Sequence, residues 1–146
     1  FIKHEYNLSI GEKTAEEIKI AIGSAMQYED EGYFDVNGRD LLQGLPKTVR
    51  ILSSQIRDAM SDSIYQIVDT IKETLEQTPP ELASDIMNYG ITITGGGSLI
   101  RNLDNLIYQM TGISVRVSDE PLNCVAIGTG MAAQNDIILK RSMFRK

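Results

Sequence analysis

The chain has 146 residues, of which 42% are hydrophobic, so it is long and apolar enough to fold around a core without disulfides or metals. Its formal net charge of −6 at pH 7 argues against nucleic-acid binding, and basic residues cluster only near the end of the chain, at Lys140, Arg141, Arg145 and Lys146. No signal peptide or membrane-spanning apolar run is recognisable, so we expect a cytoplasmic, soluble protein.

The first predicted element is a helix. Thr14 and Glu17 have the spacing of a capping box, in which each side chain accepts a hydrogen bond from the backbone N–H of the other residue. We therefore expect a helix from Thr14 to about Gly23.

The next segment predicts a small antiparallel meander. Strand-like stretches lie at residues 33–36 and 48–52. Asn37-Gly38 is a common hairpin turn and is expected to end the first strand. Further breakers stand between the strands, at Gly44 and Pro46.

Two helices are predicted in the middle of the chain. After Ser53, apolar residues recur every three or four positions over more than five turns, at Ile56, Met60, Ile64, Ile67, Val68, Ile71 and Leu75. Thr78 then precedes two prolines and stands three residues before Glu81, which predicts a second capping box and a short helix that Gly90 ends.

The last third of the chain predicts a parallel βαβ unit. A strand at 91–94 leads through three glycines into a helix whose apolar face includes Leu99, and Gly112 ends that helix. A second strand is expected at 113–117, so this region belongs to an α/β layer. A final helix rich in small residues follows in "PLNCVAIGTGMAAQNDIIL".

The glycine run "TGGGS" permits two interpretations. A bare turn between a strand and a helix exposes backbone N–H groups, which suits a phosphate or the ribose of a nucleotide. A tight turn that needs positive φ explains the glycines nearly as well. The run matches neither the dinucleotide fingerprint nor the Walker loop, so the pattern alone decides for neither interpretation.

Other chemistry is largely excluded. With one histidine, His4, and one cysteine, Cys124, the chain can build neither a hydrolase triad nor a Cys/His zinc site, and no metal ligand is assigned. Cys124 is expected to be a small buried packing residue. Glu16 and Lys19 can form an ordinary helical ion pair. The carboxylates on the polar face of the long helix are expected to be solvated: Asp58, Asp62 and Asp69.

Four segments together carry a resemblance to a known family. "GEKTAEEIK", "TPPELASDI", "GITITGGGSLIRNLDNLI" and "TGISVRVSDEPLNCVAIGTG", in this order and spacing, resemble the carboxyl-terminal half of the MreB family of bacterial actin homologues. The resemblance extends from about Ile10 to Leu139. It implies an α/β fold of the actin-like ATPase, or ribonuclease H-like, class, of which this chain is part of the second lobe.

The resemblance also implies a site. The adenosine-binding positions of the family fall on the first helix and on the glycine turn, at Glu16, Ile18, Lys19, Gly95, Gly96, Gly97 and Ser98. A carboxylate can accept a hydrogen bond from a ribose hydroxyl or the exocyclic amine, and a lysine stem can lie along the base. The resemblance thus favours the glycines as the adenosine-facing wall of an ATP cleft.

The resemblance further implies what the chain lacks. The chain begins with Phe1 rather than methionine, and we expect it to be a piece of a longer protein. The phosphate-holding hairpins and the catalytic acid of the family would precede residue 1, so ATP or ADP with Mg would be bound by the parent protein. We expect the chain alone to bind ATP weakly or not at all and not to hydrolyse it.

The implied parent is an ATP-dependent protein that polymerises into filaments and determines cell shape. Its partners would be other copies of itself and, through the other lobe, the membrane, where its cytoplasmic filaments would lie. Within this chain we expect a partial inner subdomain at 1–22 and 54–146 and a small outer α+β subdomain at 23–53. A sugar kinase and an Hsp70-like or regulatory ATPase lobe of the same fold remain alternatives.

Overall fold

The computed structural model describes residues 1–134, which form two sheets joined by helices. The elements in chain order are α1 (Ile2–Tyr6), β1 (Leu8–Ser9), α2 (Glu12–Ile22), β2 (Tyr33–Asp40), β3 (Pro46–Leu52), α3 (Ser53–Glu76), α4 (Pro80–Tyr89), β4 (Ile91–Ile93), a 3₁₀ helix (Gly96–Leu99), α5 (Leu103–Thr111), β5 (Val115–Val117) and α6 (Cys124–Ala133). The terminal basic cluster and the predicted end of the last helix lie outside the described residues.

The predicted antiparallel meander is confirmed, but its turn was misplaced. Strands β1, β2 and β3 form one antiparallel sheet in that order. Asn37 and Gly38 lie inside β2, opposite Thr48 and Lys47. A Cβ on Gly38 would lie 2.6 Å from the carbonyl oxygen of Ser9, so this glycine permits the close approach of β1 rather than a turn.

The turn itself lies at residues 41–45 and is organised by Asp40. Its Oδ1 accepts hydrogen bonds from the backbone N–H groups of Leu42 and Gln43, at 2.8 and 3.0 Å. Gly44 adopts φ +74°, a conformation that glycine reaches without strain. The Asp40 carboxylate therefore places the turn after β2, and the Asn37-Gly38 pair inside β2 does not form a turn.

Helix α3 joins two hydrophobic clusters. Its first turns contribute Ile56 to a cluster beneath the antiparallel sheet, together with Ile2, Leu8, Ile18, Ile22, Val36 and Ile51. Its later turns contribute Ile64 and Val68 to a second cluster with Leu103, Leu106 and Ile107 of α5. The first cluster takes side chains from both sides of the predicted division at residue 23, so the subdomain boundaries stay a prediction. The three carboxylates predicted to be solvated on α3 are exposed, as expected: Asp58, Asp62 and Asp69.

The predicted parallel βαβ unit is confirmed in β4, α5 and β5, with Ile91 opposite Val115. The prediction that Leu99 shares the apolar face of this helix was wrong. It is exposed at the end of the 3₁₀ helix, and α5 begins only at Leu103, after Asn102 with φ +61°. The left-handed Asn102 breaks the helical path, so the two segments do not share one face.

Neither predicted capping box forms. Helix α2 begins at Glu12, two residues before Thr14, and has no side-chain cap. Pro79, with extended ψ of 147°, takes the N-cap position of α4, while the Thr78 hydroxyl donates to the carbonyl of Thr74 in α3. Two predicted helix ends are confirmed, because Gly90 ends α4 and Gly112 ends α5.

Truncation of a side chain in the second cluster should destabilise the protein. Ile107 is 1% exposed, and Ile107→Ala is expected to lower the free energy of unfolding by about 2–5 kcal/mol through lost burial and a residual cavity. Chemical denaturation measures the change. Ile67→Ala, on the exposed side of α3, is the matched control and should cost less than about 1 kcal/mol; equal losses would contradict the assigned core.

The charge on Asp40 should make stability depend on pH. Hydrogen bonds from Gln43 and Leu42, and then the Lys47 ammonium, hold the pKa of Asp40 below its ordinary value. A lowered folded-state pKa stabilises the protein above the unfolded-state pKa, and this stability is lost as the pH falls through the folded value.

The variant Asp40→Asn keeps the acceptor oxygen and removes the charge. It is expected to melt below the wild type at pH 7, with the difference vanishing in acid, as thermal melts across a pH series would show. Asp58→Asn, which removes an exposed carboxylate of α3, is the matched control. A gap for Asp40→Asn that persists unchanged in acid would contradict this role of the charge.

Candidate functional site

A cavity of about 240 Å³ lies between α2, the 3₁₀ helix and the segment that connects β5 to α6. It brings together residues that are far apart in sequence, since Glu16 and Gly96 are separated by 80 positions. The lining residues are Glu16, Lys19, Ile20, Gly96, Leu99, Ile100 and Leu122. The cavity is thus apolar on several sides, with one carboxylate and one ammonium group.

Backbone contacts hold α2 beside the glycine turn. Immediately after α2, Ser24 forms a parallel bridge with Arg101. The N–H of Ala25 donates to the carbonyl of Arg101 at 2.8 Å. Because Arg101 follows Ile100 directly, these bonds fix the end of α2 against the segment that leaves the turn.

The opposite wall of the cavity is also fixed by the backbone. The N–H of Gly95 donates to the carbonyl of Pro121 at 2.8 Å, and the hydroxyl of Thr94 donates to the same oxygen at 3.0 Å. These two bonds position Leu122, whose side chain borders the cavity. A site with walls fixed before a ligand arrives loses less conformational entropy on binding.

The three glycines do not have the same role. Gly95 has φ +79° and ψ 173°, a conformation that essentially only glycine adopts, so the turn requires it. Gly96 and Gly97 do not have positive φ. A Cβ on Gly96 would meet Leu122 at an ordinary 3.5 Å, and one on Gly97 would meet nothing within 4 Å. Turn geometry therefore accounts for Gly95 but not for its two neighbours.

Three of the seven predicted site residues line the cavity: Glu16, Lys19 and Gly96. Ile18 does not, because its side chain is buried in the first hydrophobic cluster. Ser98 is also buried, and its hydroxyl donates to the carbonyl of Gly95 at 2.7 Å, so it stabilises the turn. Gly95 and Gly97 are part of the same turn without bordering the cavity.

Four apolar lining residues were missed in the sequence: Ile20, Leu99, Ile100 and Leu122. Ile20 stands four residues after Glu16 on α2, so the available signal was an apolar residue on the same helix face as that carboxylate. Leu99 was assigned to a helix face instead. Nothing in the local pattern around Leu122 distinguishes it, because its position depends on the bonds to Pro121.

Glu16 and Lys19 do not form the ion pair that their spacing suggested. Both side chains are exposed, and the ion pairs within residues 1–134 do not include one between them. Neither charge is neutralised by the other, so both can meet a polar ligand at the edge of the cavity.

Cys124 lies next to the site and differs from expectation. It is half-buried rather than buried, and its Sγ lies 2.7 Å from the hydroxyl of Ser118. Hydrogen bonds from Ser118 and then Thr94 lower the pKa of the thiol. The residue therefore belongs to the polar connection between β4, β5 and α6, and the prediction that it is a small buried packing residue was wrong.

A larger cavity of about 420 Å³ lies between α1, β1, α2 and α3, and Lys19 borders it as well. Its walls are mostly apolar side chains, and no residue of the glycine turn borders it. The smaller cavity is the better candidate, because it joins α2 to the glycine turn and carries the Glu16 carboxylate beside an apolar lining.

Residues 1–134 contain no cluster of three or more His, Cys, Asp or Glu side chains placed to hold a metal ion. No helix in this part of the chain has the length and apolarity needed to cross a membrane.

Comparison with known proteins identifies relatives. The sequence profile of the family described as MreB/Mbl protein matches residues 1–141. The chain is 42% identical over 144 residues to the cell shape-determining protein Mbl of Bacillus subtilis, covering 98% of this chain and 43% of that protein.

Solved structures also include proteins similar to this chain. The crystal structure of MreB5 of Spiroplasma citri bound to ADP matches with a TM-score of 0.87 and 41% identity, over 99% of this chain and 43% of that one. A MamK double helical filament matches with a TM-score of 0.66 at 20% identity, over 83% of this chain and 37% of the MamK chain, which shows the shared fold. The chain thus spans less than half the length of these relatives. Its fold is part of the actin-like α/β fold, and the chain belongs to the MreB/Mbl family.

Proposed function

We propose that this chain supplies the adenosine-facing wall of a nucleotide site in an actin-like protein that polymerises with ATP and determines cell shape. The observation that carries the proposal is the cavity that joins Glu16 and Lys19 of α2 to Gly96 of the turn. These positions come from the two segments that the family resemblance assigns to adenosine. The crystallised MreB5 relative binds ADP, which supports a nucleotide as the ligand.

The chemistry of the lining suits an adenine nucleoside. The Glu16 carboxylate can accept from a ribose hydroxyl or from the exocyclic amine of the base. The aliphatic stem of Lys19 can lie along the flat base, and Ile20 and Leu122 offer apolar surface for its faces. The bare backbone at Gly96 lets the nucleoside approach without a side chain between them.

The size of the cavity fits one wall of a larger site. At about 240 Å³ it is smaller than the roughly 300–1,000 Å³ of complete small-molecule sites. In this proposal the phosphates and Mg are held by the remainder of a longer protein, and turnover of ATP takes place there. Residues Ile18, Gly95, Gly97 and Ser98 then contribute through the backbone of α2 and of the turn. Filament formation and membrane association belong to the same whole-protein proposal.

Filling the cavity should abolish adenosine binding. Gly96→Val places methyl groups where the nucleoside would lie, without a backbone clash, because its Cβ has ordinary contacts only. In a titration of the 146-residue chain with AMP, followed by amide chemical shifts, the wild type should shift around Glu16 and Gly96 at roughly millimolar ligand, about −4 kcal/mol of binding, whereas the variant should not.

Gly128→Val, on α6 and outside the cavity, is the control, because a Cβ there meets nothing within 4 Å. It should titrate as the wild type does. The proposal is wrong if Gly96→Val binds AMP unchanged or if the wild-type shifts lie around the larger cavity instead.

The carboxylate of Glu16 should contribute one hydrogen bond to the nucleoside. Glu16→Ala is expected to weaken AMP binding about threefold to tenfold, the equivalent of roughly 0.5–1.5 kcal/mol. The same titration measures the loss. Glu17→Ala, the neighbouring exposed residue on α2, should leave the affinity unchanged because it does not line the cavity. Equal effects of both variants would point to general charge rather than a specific contact.

A further inference from the structure

Residues 24–32 connect α2 to β2 without forming a helix or a strand, and we call this segment the strap. Connections of this kind are usually among the more mobile parts of a fold. The strap is nevertheless attached to Arg101, the residue that follows Ile100 in the lining of the smaller cavity. The attachment is made by the backbone of Ala25 and by the ring of Tyr28.

Tyr28 is fixed from its hydroxyl end. The side chain is half-buried, and its hydroxyl oxygen lies 2.9 Å from Oγ of Ser53, a fully buried residue at the start of α3. The Ser53 hydroxyl donates its hydrogen to the carbonyl of Gly32 at 2.9 Å, so Tyr28 is the donor to Ser53. The same Oγ accepts a hydrogen bond from the N–H of Gly32 at 3.0 Å. The aromatic ring therefore has a fixed position relative to the first turn of α3.

The guanidinium group of Arg101 lies over this ring. Its central carbon is 4.3 Å from the ring centroid, within the distance at which a cation is attracted to an aromatic face. Arg101 is exposed, and none of the ion pairs within residues 1–134 includes it. In this part of the chain, the Tyr28 ring is therefore the group that orients the Arg101 side chain.

The backbone contact between the strap and Arg101 is incompletely bonded. The hydrogen bond from the N–H of Ala25 to the carbonyl of Arg101 is 2.8 Å long. The adjacent Ser24 is fully buried, yet its hydroxyl has no hydrogen-bond partner within residues 1–134. A buried hydroxyl without a partner destabilises the arrangement that buries it. The stack of Arg101 on Tyr28 therefore contributes more here than it would at a junction with a full set of hydrogen bonds.

A change in the position of Arg101 would move one wall of the smaller cavity. Leu99 and Ile100 line the cavity on the side of the glycine turn, while Glu16 and Lys19 line it on the side of α2. Arg101 is covalently joined to the first wall, and the strap that holds it continues from the end of α2. The stack thus helps to set the separation of the two walls, and a binding site requires such positions to within about 0.5 Å.

We propose that Arg101 is a positioning residue of the nucleoside site, which holds the wall formed by the glycine turn at binding distance by stacking on Tyr28. Arg101 acts through Ile100 and does not itself border the cavity. The inference rests on the proposed nucleotide function and adds to it two residues, Arg101 and Tyr28, that do not touch the ligand. It also gives the strap a role in binding.

The test is a titration of the 146-residue chain and its variants with AMP, followed by amide chemical shifts. Tyr28→Leu removes the ring and should weaken AMP binding about twofold to fivefold, the range expected for a cation–π contact at an exposed site. Tyr28→Phe keeps the ring and should retain the affinity, although loss of the hydrogen bond to Ser53 should lower its melting temperature. Tyr65→Leu, at a position 48% exposed on α3, is the matched control and should bind as the wild type does.

Variants of Arg101 test the other half of the contact, and they replace an exposed side chain. Arg101→Met removes the cation and should weaken AMP binding by the same factor as Tyr28→Leu. Arg101→Lys keeps a cation that can lie over the ring, so it should lose less affinity. The double variant Arg101→Met/Tyr28→Leu should bind no more weakly than either single variant, because both changes remove one contact. Since Tyr28→Leu changes no charge, equal losses would exclude direct attraction between Arg101 and the phosphate of AMP.

Hydrogen exchange of the Ala25 amide measures the attachment of the strap without a ligand. Exchange should be faster in Tyr28→Leu and in Arg101→Met than in the wild type, because the backbone bond to Arg101 opens more often when the stack is absent. Unchanged exchange in both variants would overturn the proposal.

Three results of the AMP titration would also overturn it. They are affinity that Tyr28→Leu and Arg101→Met both retain, losses that multiply in the double variant, and a loss in Tyr28→Phe as large as that in Tyr28→Leu. The last result would show that affinity follows stability, so that Tyr28 has a structural role only. A wild type that does not bind AMP would overturn the proposed function together with this role, whereas a wild type that binds and variants that bind equally well overturn this role alone.

Discussion

The backbone bridge between Ser24 and Arg101 is the contact on which the candidate site depends. It joins the end of α2, which belongs to the first hydrophobic cluster, to the segment between the glycine turn and α5, which belongs to the second. Ser24 is fully buried at this junction. Without the bridge, the distance between Glu16 and Gly96 would be set only by the packing of the two clusters on α3.

Helix α3 provides the rigid frame for that bridge. It contributes side chains to both clusters, and Met60 packs against both. Its length therefore fixes how the antiparallel sheet and the parallel βαβ unit lie relative to one another. The smaller cavity is placed by this frame, although no residue of α3 lines it.

The sequence predicted the parts of the fold that follow from local periodicity and missed those that follow from tertiary contacts. The long period of apolar residues in α3 and the strand-helix-strand order around α5 are properties of the sequence itself, and both are confirmed. The Asn37-Gly38 pair failed as a turn because β1 approaches Gly38, a contact from a distant segment. Both capping boxes failed because Gly11 and Pro79 occupy the N-cap positions instead.

The candidate site was likewise predicted only in part. The resemblance assigned Glu16, Lys19 and the glycines to one ligand, and the fold brings Glu16, Lys19 and Gly96 to one cavity. The apolar lining could not be predicted, because Leu122 reaches the cavity only through the bonds of Gly95 and Thr94 to Pro121. Ile18 was wrongly expected to face the ligand. It is adjacent to Lys19 in sequence, but neighbouring residues of a helix point in different directions, and Ile18 lies on the buried side of α2.

The central claim is that an adenine nucleoside binds between α2 and the glycine turn. The most direct measurement is of intermolecular nuclear Overhauser effects between AMP protons and methyl groups in a methyl-labelled sample of the chain. The predicted result is contacts from the base and ribose protons to methyls of Ile20, Leu99, Ile100 and Leu122. Contacts confined to Ile2, Leu8 and Ile10 of the larger cavity would contradict the claim.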